Sequence, residues 1–160
     1  MSKVAIMGFG NPVRSDDVVG IYVIEKLQKA LKDNSDISIF DMGTGAFEVL
    51  FGLNGHDKII LVDAVVNTNE PIGTIFKVPA EEVLRTPEDD PLVFLHSIKW
   101  DQALSYAKKI LREDYPEDIQ VYLIAIKETK MEIELSEKAQ IAGDKVFDYI
   151  MEELKQLELV

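Results

Sequence analysis

The sequence predicts an α/β fold: a three-layer sandwich with a mainly parallel, about five-stranded twisted sheet and helices on both faces. Short continuous apolar runs, Val4-Ala5-Ile6-Met7 and Ile59-Ile60-Leu61-Val62, lack polar alternation, as expected of strands covered on both sides. These runs take turns along the chain with segments whose apolar residues recur at helical spacing, the order that makes parallel strands joined by helices. The 160 residues contain no linker, internal repeat or low-complexity stretch, so one domain over residues 1–160 is expected. A chain of this length buries about two thirds of the surface it exposes when unfolded.

The first strand is Lys3–Gly8, left through a loop, Phe9–Asp16, that carries Gly10, Asn11 and Pro12. A helix from Asp17 to Leu31 follows, with Gly20, Val23, Ile24, Leu27 and Leu31 on one face. Acids at its start and Lys29 and Lys32 at its end suit the helix dipole. Ile37–Asp41 is the second strand, and Thr44 caps a helix through Phe47, Leu50 and Leu53 that Asn54-Gly55 ends. Lys58–Asp63 is the third strand. Gly73–Val78 alternates less cleanly and is placed as a fourth strand toward an edge, before a helical turn at Glu81–Leu84. Arg85–Leu92, with two prolines and three acids, is expected to be an exposed loop. A helix over His96–Leu111 packs through Leu104, Ala107, Ile110 and Leu111; Ile119–Ile126 is the fifth strand. Ser136 caps the last helix, whose apolar positions are Ile141, Val146, Tyr149, Ile150, Leu154 and Leu157.

Composition excludes several classes. A formal net charge of −12 repels phosphate backbones, so general nucleic-acid binding is not expected, while cations and basic segments are attracted. Most of these charges are simply a solvated acidic surface. No apolar run approaches the roughly 20 residues that span a bilayer, so no membrane insertion is expected. The start lacks the layout of a signal peptide, and a cytoplasmic protein is expected. With no cysteine there is no disulfide framework, thiolate metal site or cysteine nucleophile.

Three carboxylates stand where predicted strands run out: Asp17 in the loop after the first, Asp41 closing the second, Asp63 closing the third. If those strands are parallel neighbours, the acids converge on the rim where open α/β sheets bind ligands. A single strand-end Asp commonly just starts a turn. The combination, with His96 able to join from the start of its helix, reads as a site for a divalent metal or a cation-dependent reaction. A cation relieves the like-charge repulsion of such a cluster, and imidazole suits Zn, Ni, Cu and Fe. Of Asp16 and Asp17, one can cap the helix while the other faces the crevice; the residues alone leave that choice open. His56 precedes the third strand and belongs to the opposite rim, as a surface residue. Trp100, at helical spacing from Leu104, reads as packing or part of a partner surface.

Gly8-Phe9-Gly10 suggests a dinucleotide-binding turn, but the third glycine is missing and Asp16 and Asp17 would face the phosphates. The chain has no His-Glu-x-x-His helix, no Gly-x-x-x-x-Gly-Lys loop and no Gly-x-Ser-x-Gly elbow.

The segment Gly8-Phe9-Gly10-Asn11-Pro12-Val13-Arg14-Ser15-Asp16-Asp17-Val18-Val19-Gly20 resembles the N-terminal signature of the [NiFe]-hydrogenase maturation proteases. The likeness continues, in the family's order, with Asp41-Met42-Gly43-Thr44, Ile60-Leu61-Val62-Asp63-Ala64, Pro71-Ile72-Gly73-Thr74 and Leu95-His96-Ser97. The resemblance implies an endopeptidase that removes a C-terminal extension from a [NiFe]-hydrogenase large-subunit precursor after nickel insertion. It assigns metal binding to Asp17, Asp63 and His96, and a functional but not directly ligating role to Asp41. Nickel would arrive with the precursor; another divalent metal such as zinc can occupy the isolated protein. The implied partner is the precursor, bound transiently by a protein that is a monomer when free. Met42 replaces the usual Gly of its block, and Ala125-Ile126-Lys127-Glu128-Thr129 replaces a Pro-containing segment, which removes support for a substrate contact there.

Two other readings use the same residues. A phosphoacceptor receiver domain also has paired acids after its first strand, an Asp ending its third and a Lys after its fifth, here Lys127; against it, a Gly-Asn-Pro loop separates the acids from the first strand, and Glu128 stands where Pro is usual. A noncatalytic nickel-binding maturation chaperone would bind metal and partner without cleaving.

Overall fold

The computed structural model describes residues 3–10, 18–43, 53, 55–66, 68–85, 100–127 and 135–160. The strands are β1 (Val4–Phe9), β2 (Ile37–Gly43), β3 (Lys58–Val65), β4 (Ile75–Pro79) and β5 (Asp118–Ala125). The helices are α1 (Val19–Leu31), α2 (Ala80–Arg85), α3 (Trp100–Leu111) and α4 (Glu137–Gln156), with a 3-10 turn at Arg112–Asp114 after α3. The described strands form one five-stranded sheet, in the order β2-β1-β3-β5-β4. All pairings are parallel except β4 with β5, which is antiparallel.

The doubly covered strands are the most apolar ones: every residue of β1 is buried, as are Ile59–Val62 of β3. Alternation along each strand sorts side chains between two cores. Ala5, Met7, Ile59, Leu61, Val121 and Leu123 pack beneath α2 and α3 with Trp100, Ala103, Leu104 and Ala107. Val4, Ile6, Ile60, Val62, Tyr122 and Ile124 pack on the other face against α1 and α4. The three-layer, mainly parallel sandwich read from the sequence is the one observed, with the fourth strand at an edge.

Several element bounds and packing assignments differ from expectation. β2 and β3 each run two residues past Asp41 and Asp63, so neither acid closes its strand. The regular strand β4 begins at Ile75, but the backbone already bonds β5 from Gly73 (Gly73 N–H to Ala125 O, 2.8 Å). α1 begins at Val19 without an acid in its first turn; its expected start at Asp17 lies outside the described residues, as do the helix start at Thr44 and all of the expected loop Arg85–Leu92 except Arg85, which ends α2 instead. Ile110 was expected in the core but is 67% exposed, because the buried stripe of α3 runs through Trp100, Ala103, Leu104 and Ala107 and leaves it on the flank. On α4, Ile141, Tyr149 and Leu157 are about half-exposed, and the buried face is Ala139, Ala142, Gly143, Val146, Ile150 and Leu154. The expected cap holds: Ser136 Oγ accepts the Ala139 N–H at 3.2 Å.

Polar links tie the helices down. Asp144 of α4 accepts from Tyr22 Oη and Lys26 Nζ of α1, both at 2.7 Å. Near the β4 edge, the half-buried Glu153 accepts a hydrogen bond from Tyr122 and an ion pair from Lys77 at 2.5 Å, with Lys58 at 3.8 Å. Among the described residues no helix is long and apolar enough to cross a membrane.

Candidate active site

The strand order fixes where a crevice forms. From β1 the chain passes through α1 to β2 on one side, while β3 flanks β1 on the other. Connections leave in opposite directions here, which makes the carboxyl ends of β1 and β3 the position at which open α/β sheets form their ligand-binding crevice. Gly8 is paired with both Asp41 of β2 and Val62 of β3, so Asp41 and Asp63 reach this rim at nearly the same level. α1 starts against the same rim because Gly20 has no side chain to hold it off the ends of β1 and β3. Its N-terminal end places a positive partial charge beside the crevice.

The two acids differ in setting. Asp63 is part-buried and oriented on both oxygens: Oδ1 accepts the Ala64 N–H at 2.8 Å and Oδ2 accepts the Trp100 indole N–H at 2.9 Å. Alternation puts it on the α3 face with Ile59 and Leu61. Asp41 is exposed and lies, by the same alternation, on the α1 face with Ile37 and Ile39. Its Oδ1 accepts the Gly43 N–H at 3.0 Å, a turn closed by Gly43 at φ +53° and by Gly10 N–H to Gly43 O at 2.8 Å. Both carboxylates therefore stand at one rim but on opposite faces of the sheet. Met42, where the resemblance departs from its pattern, turns inward onto the α3-side core.

Asp17 and His96 lie outside the described residues. Among the described residues no three metal-ligating side chains cluster. His56 stands just ahead of β3, at the opposite rim as expected, next to Asp57, whose N–H bonds Lys3 O at 2.9 Å. Trp100 is not on a partner surface: it is 2% exposed and stacks on Phe9 with ring centroids 5.9 Å apart. Its bond to Asp63 was missed by sequence reasoning. The signal for it was the polar tip of a buried indole, which needs an acceptor.

The family model described as hydrogenase maturation protease matches residues 21–153. The Hydrogenase 2 maturation protease of Escherichia coli K12 is 28% identical over 81 residues, 51% of this chain and 49% of that protein. The alignment thus spans about half the length of that relative. A putative hydrogenase maturation protease of Methanocaldococcus jannaschii is 29% identical over 161 residues, covering 96% of this chain and 97% of its own. The fold matches the hydrogenase maturating endopeptidase HybD from E. coli with a TM-score of 0.77 at 20% identity, over 96% and 93% of the two chains. It also matches the [NiFe] hydrogenase maturation protease HycI from Thermococcus kodakarensis with a TM-score of 0.71 at 24% identity, again over 96% and 93%. Neither a receiver domain nor a noncatalytic chaperone is favoured by these matches. The chain belongs to the hydrogenase maturation protease family.

Proposed function

We propose that this protein is the endopeptidase that removes the C-terminal extension of a [NiFe]-hydrogenase large-subunit precursor once nickel is in place. The observation that carries the reading is Asp63, a carboxylate held on both oxygens at the crevice where the sheet's connections diverge, in a chain of this family. The precursor's nickel is the recognised substrate group, with Asp17, Asp63 and His96 as its ligands from this protein. The donor set suits it: imidazole is a borderline ligand that nickel and zinc both accept, and carboxylate oxygens complete zinc sites as well. Zinc would therefore compete in the isolated protein. When the precursor docks, its metal supplies Lewis-acid polarisation next to the scissile peptide.

Hydrolysis adds a water oxygen to the scissile carbonyl carbon, breaks the C–N bond, and moves a proton from that water to the leaving amine. Asp41, exposed at the rim, is the group proposed to carry that proton as general base. The protein acts in the cytoplasm, as a monomer that engages one precursor at a time, without membrane insertion or nucleic acid.

Mass spectrometry of a nickel-loaded and a nickel-free large-subunit precursor, each mixed with this protein or with its Asp17→Asn variant, tests the reading. Loss of a C-terminal peptide only from the loaded precursor and only with the unaltered protein is expected. Equal cleavage with and without nickel refutes nickel recognition, and an unchanged precursor mass in every mixture refutes the protease.

A further inference from the structure

Trp100, the only tryptophan of the chain, opens α3 as a fully buried ring with two attachments at the crevice. Its face stacks on Phe9, the last residue of β1, with rings inclined by 25°. Its edge donates Nε1–H to Asp63 Oδ2 on β3 at 2.9 Å. One side chain thus joins α3 to both strands that border the crevice.

The choice of residue is informative. Packing alone asks only for a large aromatic ring, which phenylalanine would supply. An indole adds a group that can donate and never accept, and here that donor goes to a carboxylate instead of to a backbone carbonyl. The torsion that turns a carboxylate about its last bond is soft, with no sharp minimum. One hydrogen bond leaves a carboxylate free to swing about the bonded oxygen. Two donors on different oxygens, from Ala64 and Trp100, fix both its plane and its rotation. A carboxylate has acceptor capacity beyond two such bonds, so being held does not prevent Asp63 from binding a cation.

We propose that Trp100 is a positioning residue: its indole N–H presets the Asp63 carboxylate to meet the precursor's metal. This rests on the proposed role of Asp63, and it assigns to Trp100 a part that the family resemblance does not. The benefit of presetting is that no torsion has to be frozen when the precursor docks.

Two measurements test it. In the first, the single indole N–H signal is followed by proton–nitrogen NMR as zinc ion is added to the unaltered protein and to Asp63→Asn. The signal is expected to shift with the unaltered protein and stay fixed with the variant; a signal that zinc leaves unmoved in the unaltered protein overturns the proposal. In the second, Trp100→Phe keeps an aromatic ring to stack on Phe9 while deleting the donor. With nickel-loaded precursor, KM is expected to rise about tenfold, equivalent to about 1.4 kcal/mol, with kcat unchanged. A Trp100→Phe enzyme with unaltered KM rejects positioning while leaving the protease reading intact. If the unaltered protein cleaves nothing, the protease reading fails by itself, and the NMR titration still decides whether Trp100 senses an ion at Asp63. That titration needs no variant of Trp100, so a poorly folded Trp100→Phe does not block the decision.

Discussion

A Cβ placed on Gly20 would stand 2.2 Å from the Phe9 carbonyl oxygen and 2.9 Å from that of Val62. Both neighbours are backbone atoms at the rim of the sheet, so neither can rotate away. Gly20→Ala must push α1 off β1 and β3. Such overpacking is expected to cost about 3 kcal/mol, lowering Tm by roughly 6–12 °C in a chain of this size. Thermal unfolding measures this, and a Tm within 1 °C of the unaltered value, on the order of what a neutral surface change gives, would contradict the close approach.

Asp41 separates turn from chemistry by choice of variant. Asp41→Asn retains an oxygen able to accept the Gly43 N–H, so the melting temperature should stay put. Loss of the proton-accepting group should lower precursor cleavage about a hundredfold, at the lower end for a general base. Cleavage at the unaltered rate by Asp41→Asn assigns Asp41 to the turn alone.

Asp63→Asn changes more. An amide has one accepting oxygen where the carboxylate uses two, so either the Ala64 or the Trp100 donor loses its partner. A stability loss of about 1–3 kcal/mol is expected from the orphaned donor, together with abolished cleavage. Stability unchanged in a chemical denaturation series would show that the two hydrogen bonds contribute nothing.

Glu153 sets an acid limit. Burial opposes its ionisation, but hydrogen bonds from Lys77 and Tyr122 and the charges of Lys77 and Lys58 outweigh burial and hold the carboxyl below its ordinary value. Burial first, then the same hydrogen bond, pushes the Tyr122 phenol up. A carboxyl depressed on folding adds stability above its unfolded pKa, and that stability is lost as pH falls through the folded value. Tm should therefore decline as pH drops below about 4.5, the ordinary glutamate range, and Glu153→Gln should flatten that decline while lowering Tm at neutral pH. Parallel pH–Tm curves for the two proteins would exclude Glu153 as a contributor.

Ser136→Ala removes the side-chain acceptor at the start of α4. About 1 kcal/mol, or roughly 2–4 °C in Tm, is the expected loss. Ser136→Asp should restore it, and failure of that rescue would argue against a capping role.

Much of this fold was legible because local and tertiary preferences agree. Val4–Met7 and Ile59–Val62 are apolar on both sides, and only a strand between two helical layers satisfies both sides at once. Ser136 announced α4 through a short-range hydrogen bond that needs no distant partner. The helix flanks were less legible: Ile110 and Ile141 have the composition of core residues, but the width of the stripe that a neighbouring layer can cover decides which apolar positions are sealed. At the site, the strand-end acids were visible as residues, while their faces were not. Asp41 and Asp63 fall on opposite sides because of the phase of alternation in each strand, which depends on pairing register with β1. The Trp100–Asp63 bond joins residues 37 apart in sequence, and no local pattern encodes it.

Among the described residues the sheet ends at β4, a strand of five residues, Ile75–Pro79. Lys77, at its centre, is spent on Glu153 and lies over the Tyr122 ring, 5.6 Å from its centroid, while Pro79 has no amide hydrogen to offer. Another chain trying to extend the sheet here would meet a committed ammonium group and a missing donor, two devices that discourage intermolecular β-pairing. This margin thereby carries its own protection against edge-to-edge association.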